Sequence, residues 1–492
     1  MKILGINAFH PDSSACLVID GKVVAAIEEE RIVRVKHWAG FPENAITACL
    51  KVANIEPSEL DKIAINRDSG AHKKEKLFYA IKNRPSLSNI VDRVKNRKNV
   101  GKTSSLLSNL FKIPEQKIED KIVPVEHHLA HLGSTYLSSP YKESVICSID
   151  GFGDFISTMW GLGEENKMMI DDYITFPHSL GMLYQSITQF LGFWNYGDEY
   201  KVMGMAAYGR PKYKDEIRKL IQIKDDGKFV LKTNYFQHPV EGVSMEFDGG
   251  YPIIGSVFSK EMSELLGMPR KKEENISQRH KDVASSLQKV YEDVLFNLLE
   301  HLNETFPEIK NLCLAGGCAQ NSLANGKITS NSNFEQVWVQ PAAGDAGGSL
   351  GAALAYWHRE LGKPRKEFKD KMKGSYLGQN FNENTIEDEL NRLKAVFHKK
   401  KSNEIISITA SELSNNKTVG WFQGRMEFGP RALGCRSILA DPRSDNMQKE
   451  LNLKIKFRES FRPFAPSVLR EDVSEWFDLD CDSPYMLLVS NI

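Results

Sequence analysis

A strand–turn–strand unit followed by helices occurs twice in this chain, and that repetition limits the folds open to it more than any other feature. The first copy begins at the N-terminus. Lys2 to Ala8 reads as a strand, Ser14 to Ile19 as a second, and Lys22 to Glu28 as a third after the hairpin signal Asp20-Gly21. The second copy is Ser144 to Ile149, the glycine-broken turn Asp150-Gly151-Phe152-Gly153-Asp154, and a returning strand from Ile156 to Gly161. Helical periodicity follows each unit, at Pro42 to Val52 and at Ala284 to Leu302.

Two such units imply an internally duplicated α/β fold. The actin and sugar-kinase architecture is built this way, with a nucleotide held between its halves. A chain of 492 residues also exceeds one ordinary core. The expected division is an actin-like domain over residues 1–366, with pseudo-repeats at about 1–140 and 141–366, and a further α+β domain over 367–492. Between them, Leu361-Gly362-Lys363-Pro364 to Lys373 turns polar and reads as a linker, with strand and turn signals resuming near Ile405.

Composition narrows the class. Apolar residues make up 41% and charged residues 26%, the balance of a globular enzyme. Lys plus Arg and Asp plus Glu are 64 each, so no global field recruits nucleic acid or an anionic membrane. No apolar run approaches the roughly 20 residues that span a bilayer. Seven cysteines without a CxxC pair, and an N-terminus with no secretory cleavage pattern, point to free thiols and a cytoplasmic location. A basic stretch from Arg67 to Lys102 reads as a solvated helical insertion, or else as a docking surface for an anionic acceptor or partner.

Chemistry concentrates in two regions. In Glu126-His127-His128-Leu129-Ala130-His131, the first and last histidines are four apart and share one helix face, whereas His128 points elsewhere. Asp150 ends an apolar strand, where open α/β sheets place ligands. Asp345 lies in a small-residue loop, Pro341 to Ser349, that opens an alanine-rich helix. Two imidazoles and two carboxylates suit Fe²⁺, Mn²⁺ or Zn²⁺; each aspartate read singly is equally a turn residue or an N-cap. Leu314-Ala315-Gly316-Gly317 followed by Gln320-Asn321 is a strand entering a turn that lets backbone approach a ligand, or simply a tight turn. Glu199-Tyr200-Lys201 could line a site or form an ordinary loop and short helix. The second region packs Arg425, Arg431 and Arg436 among glycines, then Lys456, Arg458 and Arg462. That density of cations suits a polyphosphate or acyl phosphate, with surface ion pairing as the plain alternative.

Together these runs resemble the NodU/CmcH carbamoyltransferases, which tailor nodulation factors and antibiotics. The most specific block extends from Phe428-Gly429-Pro430-Arg431-Ala432-Leu433-Gly434 to Arg462-Pro463-Phe464-Ala465-Pro466. The resemblance implies two active sites. A YrdC-like second domain makes carbamoyl adenylate from ATP (with Mg²⁺) and carbamoyl phosphate. The first domain then passes the carbamoyl group to a hydroxyl of a small-molecule acceptor and releases AMP. By motif match His127, His131, Asp150 and Asp345 hold a divalent metal, iron first. His10, Asp12 and Lys36 are catalytic, with His10 a base near the acceptor. Gly151, Lys201, Gly316, Gly317 and Asn321 bind the adenylate, and Arg431, Arg436, Lys456 and Arg462 bind ATP and carbamoyl phosphate. A homodimer is compatible with this reading. Family members continue beyond Ile492, so the second domain is expected to be truncated. A small-molecule kinase of actin fold and a non-catalytic nucleotide scaffold are the alternatives; the paired histidines and arginine-rich tail weigh against the kinase.

Overall fold

The computed structural model describes residues 1–83, 102–242, 245–479 and 481–492. Most of the basic stretch, residues 84–101, lies outside the described residues; its start forms the helix Lys73–Asn83.

Strands β1 (Lys2–Asn7), β2 (Ser14–Ile19) and β3 (Lys22–Glu28) run antiparallel. On the other side of β1, β4 (Lys62–Ile65) and β5 (Ile122–Pro124) add in parallel, giving the order β3-β2-β1-β4-β5. The second sheet repeats this plan. There β6 (Glu143–Gly153) takes the place of β1, with β7 (Ile156–Glu164) and β8 (Lys167–Thr175) antiparallel on one side. Strands Asn311–Ala315 and Gln336–Val339 add in parallel on the other. Matching order and strand sense in both sheets is the duplication that the sequence suggests. At the first hairpin Asp20 and Gly21 both adopt positive φ, +48° and +77°, as a type I′ turn requires.

The central strands are apolar on both faces because both faces are covered. Helix Glu43–Ala53 packs on the outer face of the first sheet, and helix Ala346–Ala355 on its inner face. Helix His127–Tyr136 packs on the second sheet and against Ala346–Ala355, so the two helices meet between the sheets. Their small residues permit this contact: a Cβ at Gly351 would lie 1.7 Å from the Ala130 carbonyl oxygen. The outer side of the second sheet is covered by Leu180–Phe190 and the long helix Gln278–Thr305.

Four local expectations change. First, β6 continues through Gly153, and the turn falls at Asp154 and Phe155, both at positive φ. Second, the polar stretch after Leu361 is anchored rather than free. Arg365 donates to the carbonyls of Ser139 and Tyr141 at 2.9 and 3.0 Å, and Met372 and Leu377 are fully buried. Third, Ile405 lies in a helix, Ser402–Ser414, rather than among strands. Its β-branched run favours a strand, but Glu404 accepts the Lys401 amide at 3.0 Å and closes a helix start. The strands of this region come later, Val419–Phe422 pairing with Arg436–Leu439. Fourth, Tyr485 to Ser490 is not a strand. Tyr485 and Leu487 bury in the main core, and the Val489 amide donates to the Ser322 carbonyl at 3.1 Å. These two apolar side chains are covered by the main core instead of a sheet neighbour, while Val489 stays exposed.

All seven cysteines are free, and no helix among the described residues is long and apolar enough to cross a membrane.

Candidate functional site

The two inner helices begin side by side, and the site forms where they start. Glu126 caps helix His127–Tyr136 by accepting the Leu129 amide at 2.7 Å. Asp154, at the tip of the second hairpin, accepts the amides of Asp68 and His127 at 2.7 and 3.1 Å. These carboxylates sit where the positive end of the helix favours them. The fixed first turn then carries His127 and His131 inward on one face, with their Nε2 atoms 3.0 Å apart. His128 turns away and is satisfied by Ser148 Oγ at 2.5 Å and the Ile156 carbonyl at 3.0 Å. Burial holds it near a pKa of about 3, hence neutral.

Asp150 presents Oδ2 to His127 and His131 at 3.3 and 3.2 Å, while its Oδ1 accepts the Gly317 amide at 2.9 Å. Asp345 sits at the N-cap of Ala346–Ala355 but makes no capping bond. Its Oδ1 instead faces the histidines at 3.5 and 3.6 Å. The plain N-cap reading of Asp345 therefore does not hold. Burial opposes ionisation of Asp150, but hydrogen bonds from both histidines outweigh it and hold the carboxyl well below its usual range. Burial and the Asp150 charge push Asp345 up. His131 is lifted to about 9: burial works against this, and the two carboxylates overcome it.

The donor set fits a divalent ion. One ligand atom from each of His127, His131, Asp150 and Asp345 lies within 4.8 Å of all the others. Metal–ligand bonds of about 2.0–2.2 Å put neighbouring donors about 3.0–3.5 Å apart around a tetrahedral or octahedral centre. The histidine–histidine and histidine–carboxylate distances here span 3.0–3.6 Å. The Nδ1 atoms of both histidines lack hydrogen-bond partners among the described residues, so packing orients the rings. A Cβ at Gly153 would lie 1.9 Å from the His127 ring.

This cluster borders a cavity of about 880 Å³. His10, Asp12, Lys36, Gly151, Lys201, Gly317, Asn321, Arg431, Lys456 and Arg462 line it with Asp150 and Asp345. The cation-rich region and the histidine–aspartate cluster thus share one chamber. His10 Nδ1 stands 3.8 Å from Asp345, and burial, then the charges of Arg67 and His127, hold its pKa well below the usual value. Asp12 pairs with His37 at 2.7 Å, and the Lys36 ammonium lies 5.1 Å from the Tyr200 ring centre. Lys201 pairs with Asp198 at 2.8 Å and reaches Glu459 at 3.7 Å, joining the two regions. Arg462 stacks over Tyr200 at 4.0 Å.

Three expected residues behave differently. Arg436 does not line the cavity; its Nε bonds the fully buried carboxylate of Glu427 at 2.9 Å. Gly316 lies behind the wall, at φ +87°, where a Cβ would strike the Ile149 carbonyl at 2.2 Å. Asn321 reaches the cavity, but its amide is reciprocally bonded to Gln288 at 3.0 and 3.1 Å and caps the next short helix. Arg67, at the start of the basic stretch, lines the cavity just after β4 rather than a solvated surface. Its position at the carboxyl end of a parallel strand was the available signal. Asp154 and Gly153 act through contacts that sequence spacing does not display.

Family profiles described as Carbamoyltransferase N-terminus and Carbamoyltransferase C-terminus match residues 2–354 and 410–492. The chain is 36% identical over 481 residues to nodulation protein NolNO of Sinorhizobium fredii, covering 96% of this chain and 64% of that protein. It is 38% identical over 361 residues to nodulation protein NolO of Bradyrhizobium diazoefficiens, covering 72% of this chain and 60% of that protein. An uncharacterized protein of Synechocystis is 42% identical over 503 residues, covering 100% of this chain and 79% of that one. Among solved structures, component A of (R)-2-hydroxyglutaryl-CoA dehydratase from Acidaminococcus fermentans is 14% identical with a TM-score of 0.40 over 74% of this chain and 100% of that one, a loose likeness. The chain spans less than two thirds of either nodulation protein. It belongs to the carbamoyltransferase family and is a transferase of carbamoyl groups.

Proposed function

We propose that this protein moves a carbamoyl group onto a hydroxyl of a small molecule, using carbamoyl adenylate formed from ATP and carbamoyl phosphate. The observation that carries this reading is the shared chamber. A two-histidine, two-aspartate cluster and a cation-rich wall border the same cavity, in a chain of the carbamoyltransferase family.

His127, His131, Asp150 and Asp345 would hold a divalent ion. Iron is the ion proposed, since imidazole and carboxylate donors suit it. Such an ion would supply Lewis-acid polarisation of the carbamoyl oxygen. The protein's own groups do the rest. Arg431, Lys456 and Arg462 would bind phosphate oxygens, and Arg431 has no ion-pair partner of its own among the described residues. Gly151 leaves the wall open, since a Cβ there would meet nothing within 4 Å. His10, beside Asp345, would hydrogen-bond reacting oxygens, while Lys36 and the Asp12–His37 pair would orient the acceptor. The region from residue 367 onward is read as a YrdC-like part that forms the adenylate.

The nucleotide product tests this. After incubation with ATP, carbamoyl phosphate, Mg²⁺ and an acceptor alcohol, phosphorus NMR should show pyrophosphate, phosphate and AMP formation that requires carbamoyl phosphate. ADP formed with an alcohol alone would instead indicate a kinase.

A further inference from the structure

Most acidic side chains lining the cavity have basic partners. Asp12 holds His37 at 2.7 Å, Glu28 and Glu30 hold Arg31, and Glu459 is shared by Lys201 and Arg462. Asp150 and Asp345 face the histidine pair. Glu199 also lines the cavity but has no cation within 4 Å among the described residues. It opens helix Glu199–Ala206, whose next two residues, Tyr200 and Lys201, also face the chamber. Asp198 adjoins it on its own segment; His37, Tyr184, Tyr196 and Cys318 feel or exert its charge from neighbouring elements. Tyr196 lies within electrostatic reach of Asp345, Asp12, Asp150 and Glu199 together, and Cys318 within reach of both Asp150 and Glu199. Glu199 therefore lines the same cavity as Asp150 and Asp345 while taking no part in their pairing.

We propose that Glu199 is a catalytic residue of the transfer step, the base that takes the proton from the acceptor hydroxyl. This rests on the carbamoyl-transfer reading above. As the acceptor O–H bond breaks, its proton passes to a Glu199 carboxylate oxygen, and the acceptor oxygen bonds to the carbamoyl carbon. The bond from that carbon to the adenylate phosphate oxygen breaks, and AMP leaves with the electron pair. Glu199 then returns its proton to solvent. Burial, reinforced by Asp198, raises its carboxyl to about 7. A carboxylate so placed is part-ionised at neutral pH and basic enough to accept a proton during attack.

The test is the pH–rate profile of transfer from pre-made carbamoyl adenylate to glycerol, used as the probe alcohol. AMP and carbamate ester are followed, with metal content measured alongside. The wild-type rate should rise about tenfold per pH unit up to about 7 and then level. Glu199→Gln should lose about 100- to 10,000-fold in rate, and the acid limb with it, while keeping metal and nucleotide affinity. Glu199→Asp, which retains a carboxylate, should recover part of the rate with a displaced limb. A Gln variant that keeps rate and limb, or a limb that vanishes in His10→Asn instead, would overturn the assignment and leave carbamoyl transfer standing. A wild-type chain that releases neither AMP nor ester would overturn the transfer reading and this assignment together.

Discussion

His127 and His131 direct their Nε2 atoms at each other across 3.0 Å, and both face the same carboxylate oxygen of Asp150 at 3.3 and 3.2 Å. Two ring nitrogens and a carboxylate brought so close need a shared cation, whether a proton or a metal. Removing one donor should therefore empty the site without unfolding the chain. His127→Ala and Asp345→Ala should each lower bound metal at least about tenfold, judged against the weaker effect of losing an outer-shell partner. Elemental analysis with circular dichroism is the check, and stoichiometric metal in both variants would contradict the assignment.

Gly153 offers a subtler handle. A methyl group there would meet the His127 ring at 1.9 Å, so the ring must swing or the hairpin must shift. Gly153→Ala should cost about 1–3 kcal/mol by overpacking. It should also weaken metal binding by about 10- to 100-fold, as loss of ligand orientation does. Metal titration and denaturant unfolding would show both effects; unchanged affinity would mean that packing does not aim His127.

The cations of the second region should divide into two behaviours. Arg431→Ala, at the cavity, should weaken ATP or carbamoyl phosphate binding by about 10- to 100-fold, the loss expected of a charge-assisted hydrogen bond. Arg436→Ala should leave binding largely intact but destabilise its hairpin by about 1–3 kcal/mol, because the buried Glu427 would lose its cation and keep only the Leu433 and Cys435 amides. Calorimetric titration and limited proteolysis separate the two; equal loss of binding in both variants would contradict the division.

Acid should weaken the fold through buried neutral histidines. His238 bonds the Pro177 carbonyl at 2.8 Å and His358 the Lys363 carbonyl at 2.8 Å, and burial lowers each to about 4. Between about pH 6.5 and 4 the unfolded chain binds more protons at these sites than the folded one, so stability falls as pH falls. Each contributes up to about 3 kcal/mol across that window. Denaturant melts at pH 7 and 4.5 should differ in this direction, and His238→Gln should reduce the difference.

Much of the architecture was legible in the sequence because it is local. Asp20-Gly21 dictates a type I′ turn, apolar runs mark strands covered on both faces, and a four-residue spacing aligns His127 with His131. What escaped depends on partners far along the chain. Asp154 holds the start of a helix formed by residues well before it, and Gly153 yields space to His127. Arg436 looks like Arg431 in sequence, and only the buried Glu427 distinguishes them. The run at Ile405 has strand-forming side chains, but a closed helix start prevails. Tyr485 and Leu487 carry the apolar character of a strand but bury it in the main core.

We propose above that the chamber joining the histidine–aspartate cluster to the cation wall carries a carbamoyl group to an alcohol. Mass spectrometry of an alcohol and sugar panel, incubated with the protein, ATP, Mg²⁺ and isotopically labelled carbamoyl phosphate, tests it most directly. An acceptor should gain the labelled carbamoyl group, with one AMP formed per ester and neither product in Asp345→Ala. A phosphorylated acceptor, or labelled ester formed equally well by Asp345→Ala, would contradict it.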